Sequence, residues 1–118
     1  MSGLEALARR VLEAYNAGDP EPLIGTFGED VSYEIVHLGQ TYRGRKEVAA
    51  LAREGAGRTR FHLNDFTRSG RLLAYTYDHE SALPGREHTG PGLAVQEYDD
   101  DGRLIRQWAF RSAAGGDE

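Results

Sequence analysis

Residues 85–110, GREHTGPGLAVQEYDDDGRLIRQWAF, decide the fold. They read as two long strands joined by a tight turn at Asp99-Asp100-Asp101-Gly102, where Asp supplies local hydrogen bonds and Gly tolerates positive φ. On the first strand Leu93 and Val95 alternate with Ala94 and Gln96. On the second, Leu104, Trp108 and Phe110 alternate with Ile105, Gln107 and Ala109. A hairpin with apolar residues on both faces is not a sheet with one side in water. It needs a second layer to cover it, and the first half of the chain has to supply that layer.

The 118 residues form one domain, large enough for a single core without disulfides or metals. With no cysteine, thiol chemistry is excluded and redox compartment leaves no mark. The net charge of −5 argues against nucleic acid or an anionic membrane as a partner. Neither the N-terminus MSGLEALARR nor any later stretch has an apolar run of membrane-spanning length, so the expected location is cytoplasmic. The expected organisation is a domain over residues 1–112 and a flexible C-terminal tail over 113–118, AAGGDE.

Taken outward from the hairpin, the rest of the chain provides three helices and more strands. Ser2 and Glu5 form a capping-box pattern, and Leu4, Leu7, Ala8, Val11, Leu12 and Tyr15 follow at helical spacing up to Gly18. Asp19-Pro20 opens a short second helix that is expected to include Phe27 and stop at Gly28. Residues 31–37 alternate as a strand, with Tyr33, Ile35 and His37 on one side, and residues 41–43 return as a short one. Residues 45–54 form the third helix, residues 60–67 and 71–81 two more strands, and Leu83-Pro84-Gly85 turns into the hairpin. Helices gathered ahead of consecutive antiparallel strands argue for α+β. A long curled sheet wrapped around three helices would cover both hairpin faces and leave an internal cavity.

Three stretches, AYNAGDPEPLIGTFGEDVSYE (14–34), YRGRKEVAALARE (42–54) and residues 84–110, resemble the SnoaL-like/NTF2-like superfamily, in that family's order. The resemblance implies a curved antiparallel sheet forming a cone-shaped α+β barrel around the helices, with a pocket inside. The superfamily includes ketosteroid isomerases, SnoaL-type polyketide cyclases, scytalone dehydratase and limonene epoxide hydrolase, so the scaffold alone does not fix a reaction. In the isomerases an Asp base faces an oxyanion hole of Tyr and protonated Asp. Carried over, those positions fall on Val11 for the Tyr, Ile35 for the base and Ala94 for the protonated Asp. All three groups are missing here, and the hairpin has no Asp ahead of its turn to match the one SnoaL-type cyclases use.

The same matching places Tyr75, Tyr77, His79 and Ser81 on the cavity side of the strand before the hairpin, beside Tyr33, Ile35 and His37. Tyr and His in a partly apolar cavity can move protons near neutral pH. The candidate catalytic residues are therefore His79, Tyr33, Tyr77 and His37. The candidate substrate-binding residues are Tyr15, Ile35, Leu51, Tyr75, Gly92, Ala94, Gln96, Gln107 and Ala109, with Gly90 and Gly92 leaving space in the wall. Each has a plainer reading as core with a satisfied polar end. Asp78 and Glu80 fall opposite His79, on the outer face. His62 and His88 are reserve candidates, His62 turned outward by Phe61 and Leu63, and His88 near the mouth. No metal-ligand spacing, phosphate-binding loop or nucleophile elbow is present, so no metal and no cofactor are expected.

These readings lead to a small enzyme doing cofactor-independent acid–base chemistry, an isomerisation, dehydration or cyclisation, on a largely apolar oxygenated molecule such as a polyketide-type metabolite. The alternatives are a non-catalytic small-molecule-binding module and an epoxide hydrolase. The epoxide hydrolase would need an Asp–Arg–Asp cluster, and Arg111 is the nearest inward Arg. Leu104, Trp108 and Phe110 on one outer face would be too much apolar surface for a monomer, which predicts a homodimer.

Overall fold

The computed structural model describes residues 3–84 and 87–111. Ser2 of the capping box, Gly85 of the turn and the tail at 113–118 lie outside the described residues. In chain order come α1 (Gly3–Asn16), α2 (Glu21–Ile24), β1 (Phe27–Ile35), a 3-10 turn (Val36–Leu38), β2 (Gln40–Arg43), α3 (Arg45–Gly55), β3 (Thr59–Ser69), β4 (Leu72–Ser81), β5 (His88–Tyr98) and β6 (Leu104–Arg111). The fold is α+β, with a six-stranded curved sheet left unclosed, in the order β2-β1-β6-β5-β4-β3.

Three features differ from the sequence expectations. Phe27 and Gly28 belong to β1 and not to α2, because Gly25 ends that helix after a single turn. The sheet is mixed, since β1 pairs with β6 in parallel. Hairpins force antiparallel neighbours, but β1 and β6 are joined only through the whole intervening chain, which leaves their direction free. Finally, an irregularity between Glu97 and Tyr98 sets Tyr98 opposite Leu104 and Glu97 opposite Arg106, so one extra residue interrupts the alternation. Leu104 is therefore turned into the core, 1% exposed, and does not share the outer face with Trp108 and Phe110.

The concave face of the sheet closes over the helices. α1 buries Ala8, Val11, Leu12 and Tyr15, spaced along one face, and α3 buries Val48, Ala49 and Ala52. Against them pack Val31, Leu73, Tyr75, Tyr77, Ala94, Tyr98 and Leu104. The end of α1 is fixed to the edge strand by a side-chain clamp. Asn16 Nδ2 donates to the Phe61 carbonyl at 2.8 Å, and the Phe61 N–H donates to Asn16 Oδ1 at 2.9 Å. This clamp holds Tyr15 beside the cavity. Among the described residues no helix is long and apolar enough to cross a membrane.

Candidate functional site

Strand register builds the cavity wall in rows. Because side chains alternate, the odd-numbered residues of β4 and the even-numbered residues of β5 face the helices. One row runs Leu73, Gln96, Gln107, Tyr33 across β4, β5, β6 and β1. The next runs Tyr75, Ala94, Ala109, Ile35. Toward the open end the third is Tyr77, Gly92, Arg111, followed by His79 opposite Gly90 and Ser81 opposite His88. The first row is the closed, structural end. Tyr98 Oη donates to Gln96 Oε1 at 2.8 Å, while Gln96 Nε2 donates to Gln107 Oε1 at 2.9 Å and reaches the Tyr75 hydroxyl at 3.5 Å. Gln96, 4% exposed, thus satisfies its amide within the wall.

These rows enclose a cavity of about 100 Å³ between the sheet, α1 and α3. Of the candidates named from sequence, Tyr33, Tyr77, His79, Tyr15, Ile35, Leu51, Tyr75, Ala94, Gln96 and Gln107 line it, as do Val11, Ser81 and Arg111. Three candidates do not line it. His37 leaves β1 for the 3-10 turn, because the strand stops at Ile35, and it is exposed there. Gly92 is covered: a Cβ there would lie 2.5 Å from Cε1 and Cζ of Tyr77, so the space expected above this glycine is filled by that ring. Ala109, 1% exposed, is sealed into the second row between Ala94 and Ile35. His62, Asp78 and Glu80 are exposed on the outer face.

The chemistry gathers at the third and fourth rows. His79 is 1% exposed, with Phe61 at 5.0 Å and Tyr77 at 6.1 Å between ring centroids. Its Nδ1 lies 3.0 Å from Nδ1 of His88, so one ring carries that proton and the other accepts it. Nε2 of both rings is buried without a hydrogen-bond partner among the described residues. Burial, and after it the charge of Arg111 and the neighbouring His88 and His37, push the His79 pKa down to about 3. The imidazole is therefore neutral at physiological pH. His37, though exposed, is lowered as well, by partial desolvation of its ring first and then by Arg111 and His88, and its ring lies 6.4 Å from that of His88.

Arg111 is the one cation in this wall among the described residues, and no carboxylate lines the cavity with it. It hydrogen-bonds the Tyr77 hydroxyl, and that contact and its charge offset part of the rise that burial imposes on Tyr77. Tyr33 and Tyr15 are likewise raised by burial and partly drawn back by Arg111, with a hydrogen bond to Thr59 also lowering Tyr15. The middle position of the Tyr77–Gly92–Arg111 row explains the contact. Without a Cβ at residue 92 the Tyr77 ring lies across the β5 backbone toward β6. Sequence reading set Arg111 aside for want of carboxylates and left His88 at the mouth. The alternation along β5 and β6, with residues 88 to 96 and 107 to 111, was the signal that puts both on the inner face.

A family model, the SnoaL-like domain, matches residues 8–107. The chain belongs to the SnoaL-like domain family. No functionally curated protein matches this SnoaL-like chain. Among solved structures it is similar to a protein of Kribbella flavida provisionally assigned as a ketosteroid isomerase, with a TM-score of 0.78, 21% identity, and coverage of 98% of this chain and 82% of that one. An NTF2-like protein of unknown function from Mesorhizobium loti gives 0.78 and 19%, over 93% and 91% of the two chains. An LEH-like epoxide hydrolase of Mycobacterium tuberculosis gives 0.75 and 21%, over 92% and 81%. At these identities the likeness speaks to the fold of this SnoaL-like chain and leaves its chemistry to its own residues.

No group of three or more His, Cys, Asp or Glu side chains is arranged to hold a metal ion among the described residues. The cavity's ionisable groups are instead a neutral His, several tyrosines kept protonated and a fixed cation.

Proposed function

We propose that this SnoaL-like protein is an acid–base enzyme that moves a proton on a small, largely apolar oxygenated molecule without a cofactor. The supporting observation is the buried His79–His88 contact beside Tyr77 and Arg111. In the tautomer where His79 Nδ1–H donates to His88, its Nε2 carries a free lone pair. That nitrogen takes a proton from carbon next to a carbonyl, and the C–H electron pair passes to the carbonyl oxygen. Tyr77 donates a hydrogen bond to the resulting oxyanion, next to the Arg111 charge. Returning the proton at another carbon completes an isomerisation; expelling a hydroxyl as water completes a dehydration. His88 is placed to share the Nδ1 proton of the imidazolium and so to steady the charge that His79 takes up.

The test uses 3-cyclohexen-1-one, followed by the ultraviolet absorbance of its conjugated isomer and by deuterium uptake from D2O. The protein should accelerate both above buffer. His79→Gln should lower the rate by about 10²-fold or more, and Tyr77→Phe and Tyr33→Phe by roughly tenfold to a hundredfold. No acceleration by the wild type, or unchanged rates in all three variants, sinks the reading. The second reading, a binding module, is favoured by the low basicity of His79 in the empty cavity. It predicts retention of a ligand that mass spectrometry finds chemically unchanged.

We also read the convex face as a homodimer contact. Leu93 and Phe110 sit opposite each other there, 37% and 38% exposed, next to the Val95–Trp108 pair.

A further inference from the structure

Arg111 poses a problem that the proton-transfer reading does not resolve. A guanidinium has five donors and a permanent charge, and enclosing it is costly unless a partner answers it. Here it faces a cavity whose lining includes apolar side chains, tyrosines, amides and one neutral His, with no carboxylate. Arg111 is half-buried, its Nε is buried without a hydrogen-bond partner among the described residues, and the contact it makes with Tyr77 is to a neutral hydroxyl. The negative charge that registers on this wall comes from Glu54, exposed on α3 and felt at Tyr15.

From this geometry we infer that the cavity binds a ligand carrying an anionic oxygen, a carboxylate or a preformed enolate, seated on the Arg111 guanidinium beside Tyr77. The rest of the ligand lies against Val11, Ile35 and Leu51. The inference rests on the acid–base reading for what happens to the ligand, but not for whether it binds. It names the substrate class: small, mainly apolar monoanions. At about 100 Å³ the cavity is below the engineered 150 Å³ void that accepts benzene, so the ligand has a ring-sized body at most, with its anionic end at Arg111 toward the mouth.

A carboxylate there also changes His79. The groups facing that imidazole are Tyr77 on its own strand, His88 from β5, Arg111 from β6 and His37 from the 3-10 turn, while β3 presents the uncharged Phe61. Arg111 is the only fixed charge of the five. Neutralising it with an anion removes one of the causes that hold His79 unprotonated and strengthens it as a base only when the ligand is in place.

The probes are benzoate and its uncharged isostere benzamide, titrated into the 118-residue chain by calorimetry, with the imidazole resonances followed by NMR. Benzoate should bind about ten- to a hundredfold more tightly than benzamide, the range of a charge-assisted hydrogen-bonded contact. Arg111→Gln should erase the difference and Arg111→Lys should keep part of it. Saturating benzoate should move the His79 titration to higher pH, and benzamide should not. Equal binding of benzoate and benzamide by the wild type overturns the inference, whether or not the variants fold. So does a preference that survives in Arg111→Gln. If the benzoate preference is absent while His79-dependent isomerisation of 3-cyclohexen-1-one persists, the anion site falls and the acid–base reading stands. If benzoate is preferred and no proton transfer occurs on any probe, the reverse holds.

Discussion

Replacing His79 by Gln should change how the stability of the whole domain depends on pH. In the unfolded chain the imidazole has its ordinary pKa of 6.5, whereas in the fold burial and Arg111 hold it down to about 3. The native state therefore refuses a proton that the unfolded state accepts. Above pH 7 neither state binds it and nothing is lost; as pH falls below 6.5 the unfolded state gains. At pH 5, 1.5 pH units below the unfolded value, the loss is about 2 kcal/mol, at 1.36 kcal/mol per pH unit. For a chain of this size that is about 8 °C in melting temperature. The assay is urea unfolding at pH 7.5, 6 and 5 for wild type and His79→Gln. Groups remote from His79 contribute equally in both proteins and cancel in the difference. The gap between the two proteins should move by about 2 kcal/mol in favour of the variant from pH 7.5 to pH 5. Parallel pH curves would mean that the folded protein protonates His79 freely, and the neutral-base argument would fail.

Gly92→Ala should cost about 1–3 kcal/mol in urea unfolding, because the new methyl meets the Tyr77 ring at 2.5 Å and that ring is boxed in by Phe61 at 5.0 Å. The displaced phenol should also loosen from Arg111, so benzoate affinity should fall with stability; an unperturbed variant would show that the ring moves without cost. For the convex face, light scattering should give twice the 13.0 kDa chain mass, and Leu93→Asp with Phe110→Asp should return it to one chain. A wild-type monomer at high micromolar concentration would refute that contact.

The fold was legible because its signals are local and repeated. The helical spacing of Val11, Leu12 and Tyr15 and the alternation of Tyr75, Tyr77 and His79 each specify one buried face. What escaped are the places where a long-range partner or a single inserted residue decides. Nothing within residues 27–35 says that β1 pairs in parallel with β6, and Leu104 keeps the phase of Trp108 in the sequence until the irregularity beside Tyr98 reverses it. His37 fits the alternation of β1, but the strand ends two residues short of it. Gly92 misled for a subtler reason. A glycine in a cavity wall reads as empty space, and only the register that sets Tyr77 against it shows the space to be occupied.

The link between Arg111 and His79 runs in both directions. If an anion seated on Arg111 raises the proton affinity of His79, protonation of His79 must tighten the same anion by an equal factor. The stronger base therefore exists only in the liganded cavity, while the empty one keeps a neutral imidazole that neither titrates near neutrality nor pairs with passing anions. This bears directly on the three missing isomerase groups. A site with a carboxylate at the position of Ile35 would hold its base ionised before any substrate arrived, and beside Arg111 that carboxylate would take up the guanidinium and fill the anion site. The absence of inward carboxylates is thus a condition for Arg111 to remain available. In a site of this kind the substrate's own charge completes the electrostatics that a second acidic side chain supplies elsewhere. Introducing Ile35→Asp should accordingly abolish the preference for benzoate over benzamide, and an undiminished preference would break the argument at its central step.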